Sequence, residues 1–165
     1  MKNVIKISLV ALICMATRCT DKENENCHTA IRFSNNSEKN LRVVDMFTHT
    51  FFTDPLDIRK GFAGIVDSKQ FIINSGEQNN RRAMWSGICF ENGFKDEYFS
   101  DTVYVYVFDA AVVDTTPWEI VAKDYLVLKR YDLSLEDLQR LDWQVTYPPT
   151  EQMKDVKQYP PYESE

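Results

Sequence analysis

The sequence predicts a strand-dominated, all-β single domain: an antiparallel β-sandwich of about seven strands over residues 27–149, with two short helices in its connections. Three observations predict it. Residues 102–108, Thr-Val-Tyr-Val-Tyr-Val-Phe, alternate β-branched and aromatic residues without a break. Shorter alternating runs recur on either side, separated by clusters of Asn, Ser, Gly and Pro. A chain of 165 residues that is 44% hydrophobic and 13% aromatic can bury one ordinary core and hardly two.

The elements follow in order around that central run. Residues 29–33 alternate, stop at Ser34-Asn35-Asn36-Ser37 and resume at Leu41-Arg42-Val43-Val44, which reads as a first β-hairpin. From Met46 to Gly61 the pattern breaks, with Phe47, Phe51 and Phe52 out of period and a turn at Asp54-Pro55, so a long loop over a core edge is expected. Phe71-Ile72-Ile73 and residues 83–90 read as two further strands, with a turn at Asn92-Gly93. In the central strand Val103, Val105 and Val107 share one face and Tyr104, Tyr106 and Phe108 the other, so both faces need cover. Asp101 and Asp109 mark its return to solvent.

Beyond it, Thr116-Pro117-Trp118-Glu119 has the order of a capping box with Pro at the first helical position, predicting a helix from Pro117 to about Lys123. Residues 125–128, Tyr-Leu-Val-Leu, read as a strand. Ser134 is positioned to cap a second helix whose stripe is Leu135, Leu138 and Leu141. Trp143, Val145 and Tyr147 alternate in a last strand that Pro148-Pro149 stops. Residues 150–165 hold only Met153 and Val156 as aliphatic groups and are expected to form a flexible tail, in which Tyr159-Pro160-Pro161-Tyr162 could serve as a polyproline ligand.

The N-terminus speaks to location. Lys2 and Lys6 give a basic start and residues 7–16 an apolar run of about ten residues, too short to span a bilayer, so residues 1–18 read as a secretory signal peptide. Ala16-Thr17-Arg18-Cys19 resembles a bacterial lipoprotein signal, Cys19 matching the residue that becomes the lipidated N-terminus; Arg18 stands where a small residue is usual. The polar, acidic stretch 20–26 makes residues 19–26 a lipid-anchored tether and is similar to the export signal of surface lipoproteins of the Bacteroidota type. The block from Leu126 through Tyr147-Pro148-Pro149 resembles the C-terminal signature of small lipoproteins of that type to which no activity is assigned. The resemblance implies an exported protein, lipid-anchored at the outer membrane, facing the cell surface or the periplasm. It implies no catalytic residue and no cofactor.

Charge and cysteine usage narrow the classes. With a net charge of -6 and scattered Lys and Arg, the chain has no basic stripe for nucleic acid. Loss of Lys2, Lys6 and Arg18 with the signal peptide makes the remainder more acidic still. Cys14 would leave with that peptide and Cys19 carry lipid, so Cys27 and Cys89 remain as an even pair. They are open to three readings: a disulfide, two buried thiols, or a nucleophilic Cys89. A bond closing a loop of about 63 residues would stabilise the fold by roughly 4 kcal/mol in the chain-entropy view.

Candidate sites are few. His28 and His49 are the only histidines, and the sequence carries no zinc motif, nucleophile elbow or phosphate loop. Asp96, Glu97 and Asp101 offer oxygen ligands of the kind calcium takes, without the spacing of a dedicated loop, so no metal site is assigned to them. Trp85, Trp118 and Trp143 are candidate glycan contacts, with core packing as the competing reading. Thr115, after Asp114, resembles an O-glycosylation acceptor of exported proteins of this bacterial type. These features favour a non-enzymatic, membrane-tethered module that binds or displays a protein or glycan. An envelope hydrolase using loop carboxylates or Cys89, and a purely structural envelope component, are the alternatives.

Overall fold

The computed structural model describes residues 24–48, 72–85, 88–95 and 99–163. These residues form a strand-rich fold. In chain order they make β1 (Ala30–Asn35), β2 (Leu41–Thr48), β3 (Ile72–Ile73), β4 (Gln78–Trp85), α1 (Phe90–Gly93), β5 (Phe99–Asp109), α2 (Ala110–Thr115), α3 (Trp118–Lys123), β6 (Lys129–Leu133), α4 (Leu135–Arg140), β7 (Gln144–Tyr147) and β8 (Lys157–Tyr159), with a 3-10 turn at Glu151–Met153. The expected signal peptide, Cys19, the expected tether as far as residue 23 and most of the expected loop after β2 lie outside the described residues.

Five strands form an antiparallel sheet in the order β3-β2-β5-β6-β8, with β5 at its centre. Its valine face, Val103, Val105 and Val107, is fully buried in a cluster that also draws Ile31 and Phe33 from β1, Val145 from β7, Leu138 from α4 and Met153. Its aromatic face, with Tyr106 and Phe108 buried, is covered by Val113 of α2 and by Val121 and Ala122 of α3. Burial on both faces is as the alternation predicts. The cost of leaving either row in water, roughly 1.5 to 3 kcal/mol for each large apolar side chain, is what draws α2 and α3 onto the sheet.

A second sheet has three strands in the order β4-β1-β7. β1 pairs antiparallel with β4 but parallel with β7, from Arg32 opposite Gln144 to Asn35 opposite Tyr147. The all-antiparallel expectation is therefore corrected. So is the first hairpin, because β1 and β2 join different sheets. Buried Asn35 explains why the chain crosses over there: its Nδ2 donates to the carbonyls of Lys39, Ile73 and Asn74, and its Oδ1 accepts from the Ser37 backbone N-H and hydroxyl. These bonds satisfy backbone that a tight hairpin would otherwise pair.

Other boundaries differ from expectation for local reasons. Phe90 begins helix α1 rather than ending a strand, and eight strands and four helices are described where about seven and two were expected. Asp109 does not release the chain to solvent; its side chain accepts from the Ala111 N-H and caps α2. Pro117 is itself the cap residue of α3, and no side-chain capping bond forms there. At α4 the Ser134-Asp137 capping box is present in both directions.

The predicted strand at 125–128 is displaced to Lys129–Leu133, all five residues of which are buried although three are charged. Pairing makes this tolerable: Arg130 grips Asp132 through Nε at 2.7 Å and Nη2 at 3.2 Å, and Lys157 lies 3.2 Å from the same carboxylate. Nor are residues 150–163 a flexible tail. Met153 and Val156 are buried, and β8 pairs with β6, placing Arg130 opposite Tyr159.

Two-sided burial of β5 predicts that neither face tolerates charge. Val105→Asp and Tyr106→Asp should each leave little folded protein, because burying an unpaired carboxylate costs several kcal/mol against about 5 to 15 kcal/mol of total stability. Circular dichroism and one-dimensional NMR of both variants check this; a native spectrum for either shows that its face is open.

Candidate functional site

An open cleft of about 1070 Å³ lies between the ends of β7 and β8 and the start of β6. Two similar segments line it, Tyr147-Pro148-Pro149 and Pro160-Pro161-Tyr162, and both Tyr147-Pro148 and Tyr159-Pro160 are cis. Each segment follows directly on a strand. Proline cannot donate to a ladder, so the chain turns away from the sheet at both places and presents its rings to the gap.

The second wall is held from beneath. Lys129, buried at the start of β6, donates from Nζ to the Pro160 carbonyl at 2.8 Å and to the Pro161 carbonyl at 3.4 Å. Burial pulls the Lys129 ammonium below the usual lysine range, and the charge of Glu163 opposes that pull. The first wall rests on the 3-10 turn, where Arg140 Nη1 donates to the Gln152 carbonyl and Met153 fills the core beneath Thr146, whose hydroxyl lies 3.3 Å from the Met153 sulfur. Burial also raises the Tyr147 hydroxyl, with Lys39 acting in the opposite direction. Lys129, Lys154, Glu151 and Glu163 balance one another around the cleft, which carries no net charge.

A second constellation sits beside the disulfide. Cys27 and Cys89 are bonded, with Cα atoms 4.8 Å apart and a sequence separation of 62. This decides among the three readings and leaves Cys89 no thiol for nucleophilic chemistry. Next to the bond, Glu91 Oε2 accepts from the His28 backbone N-H at 2.9 Å and Oε1 lies 2.5 Å from His28 Nδ1. The imidazole stacks on Trp143, centroids 4.3 Å apart and planes 12° from parallel, and Phe90 tilts against the same indole. Trp143 has a φ of 58°, unusual for a bulky residue, and its backbone N-H donates to Leu138 O while its carbonyl accepts from Arg32. The clasp ties the start of β1 and helix α1 to the core.

The tryptophans do not form one platform. Trp143 is buried in the cluster on the valine side of β5, Trp118 packs edge-on against Phe108 on the opposite side, and the Trp85 side chain lies outside the described residues. Asp96 and Glu97 also lie outside them; Asp101 is exposed and accepts from the Thr102 hydroxyl at 3.0 Å. No group of three or more His, Cys, Asp or Glu side chains suited to a metal ion occurs among the described residues. Thr115 is exposed but ends helix α2 instead of lying in a loop, and its hydroxyl donates to the Ala111 carbonyl at 2.8 Å.

Sequence reasoning missed the cleft as a site. The repeated Tyr-Pro-Pro string was its one visible signal, because each copy reads alone as a strand stop or a tail. Glu91 as the partner of His28 had no signal at all, since the two stand 63 positions apart. No helix among the described residues is long and apolar enough to cross a membrane. Comparison with protein-family models, with characterised proteins and with solved structures finds no match.

The clasp carries a pH signature. Burial alone would raise the Glu91 carboxyl, but the bonds from the His28 ring and backbone outweigh it and hold the group below its ordinary value of 4.5. A carboxylate with a depressed folded-state pKa stabilises the fold fully above its ordinary value, and that contribution is lost as pH falls through the lower one. Glu91→Gln should therefore destabilise by about 1 to 3 kcal/mol at neutral pH, with the gap to wild type closing as pH drops below 4.5. Denaturant melts across acid pH check this, and a pH-independent gap contradicts it.

Proposed function

We propose that the chain is an exported lipoprotein, anchored through Cys19 at the outer membrane, whose domain binds an extended ligand in the cleft between its Tyr147-Pro148-Pro149 and Pro160-Pro161-Tyr162 walls. The observation that carries this reading is the cleft itself: rigid rings on two sides, a wall pinned by the buried Lys129, and no net charge. Such a lining offers stacking faces and a few hydrogen-bonding groups, which is the chemistry of holding a ligand in place. The Cys27-Cys89 bond supports an oxidising compartment. The buried cluster shared by β1, β7 and the five-stranded sheet supports a further step, that the two sheets are halves of a β-sandwich. A polar stretch before residue 27 would let the domain reach its ligand from the membrane surface.

Two measurements test the two halves of the reading. Cys19→Ala should leave the protein in the soluble or unprocessed fraction; if the variant stays with membranes after carbonate washing as wild type does, the anchor is wrong. A photo-crosslinking residue at Tyr162, introduced in the producing cells, should give a discrete high-mass adduct, and one at the exposed Ile120 of α3 should not. Equal adducts from both positions, or none from Tyr162, overturn the cleft as the binding site.

A further inference from the structure

The identity of the ligand can be argued from what the cleft walls offer and withhold. Pro148, Pro149, Pro160 and Pro161 carry no backbone N-H, and the carbonyls of Pro160 and Pro161 are already occupied by Lys129. A ligand that docks as an added β-strand needs a receptor edge with alternating free N-H and C=O groups, and these walls have none to give on the Pro160-Pro161 side. What they give is ring surface: four pyrrolidines with Tyr147 and Tyr162 among them.

The polar groups around that surface include donors for a ligand that offers acceptors. Asn36 and Thr150, with the two tyrosine hydroxyls, can donate into the gap, and Lys154 lies 3.9 Å from Glu151. A proline-rich peptide is a ligand whose backbone offers acceptors alone. Its prolines have no N-H, its carbonyls point outward unpaired, and its rings form ridges that repeat every three residues. The cleft's lack of net charge also gives no preference to an acidic or basic polymer.

We infer, on the reading that the cleft is a binding site, that its ligand is a proline-rich segment of a partner protein held in the polyproline II conformation between the Tyr147-Pro148-Pro149 and Pro160-Pro161-Tyr162 walls. Both sides are then stiff before they meet. The ligand is preformed by its prolines and the second wall by the Lys129 bonds, so little conformational entropy is lost on binding.

The test titrates the purified full chain with an oligoproline peptide, a Gly/Ser peptide of equal length and neutral oligosaccharides of glucose and of N-acetylglucosamine, read by calorimetry. Oligoproline should saturate one site; the other three should not bind. Tyr162→Ala, a half-buried position on the wall, should weaken oligoproline by about tenfold, and Ile120→Ala should leave it unchanged, with melting temperatures recorded to show that both variants fold. Equal affinity for the Gly/Ser peptide, or an unchanged affinity in Tyr162→Ala, overturns the polyproline assignment. Saturable oligosaccharide binding that Tyr162→Ala abolishes also overturns it, and leaves the cleft standing as a glycan site. Failure of every probe while Tyr162 still crosslinks in cells rejects the ligand class alone; failure of both rejects the site with it.

Discussion

The structure depends on one constraint: β5 has no face that can meet water. A strand whose alternate side chains are all valine on one side and tyrosine or phenylalanine on the other must be roofed twice. The chain supplies the roofs from different places. Side chains of β1 and β7, α4 and the segment around Met153 pack with the valines, while α2 and α3, inserted between β5 and β6, cover the aromatics. Because α2 is capped by Asp109, the last residue of β5, the second roof starts where the strand ends. The strand and its cover are one continuous stretch of sequence.

Polar groups inside this arrangement are placed where they join elements that apolar packing alone would leave free to slide. Asn35 fastens the end of β1 to the turn after β3, and Arg130 with Asp132 fills the aromatic side of β6 without an unpaired charge. The disulfide and the Glu91-His28-Trp143 stack do the same at the beginning of the domain. Asn35, the disulfide and the His28-Glu91 pair join residues far apart in sequence, so each of these removes alternatives from the unfolded or partly folded chain as much as it strengthens the native one.

What could be read from the sequence was local. The central strand was visible because its period of two is unbroken for seven residues, and α4 because Ser134 and Asp137 are three apart with a leucine stripe behind them. The partners of β1 were not, since β7 lies over a hundred residues away and the nearer β2 shares its pattern; nothing in residues 29–44 says that Asn35 will prefer three carbonyls to a hairpin. β6 was misplaced because Tyr125-Leu126-Val127-Leu128 is the more apolar run, whereas Lys129-Arg130-Tyr131-Asp132-Leu133 becomes core only when its charges find one another. The tail was misjudged for a similar reason: two aliphatic residues suffice to bury a segment when a sheet edge and a carbonyl-seeking lysine await it. The cleft inherits that difficulty, as both of its walls belong to stretches that look like the ends of something else.

The edges of the sheets have a bearing on how copies of this protein behave side by side. β3 and β8, the outer strands of the five-stranded sheet, are two and three residues long, too short to template another strand. At β7 the Thr146 carbonyl is stoppered from within by the Tyr131 hydroxyl at 2.7 Å. Tyr131 stands on β6, so a residue of one sheet silences an edge of the other. Molecules that meet at these three edges lie against each other without knitting their backbones together; the longest outer strand is β4, at eight residues, and contact there is a different matter.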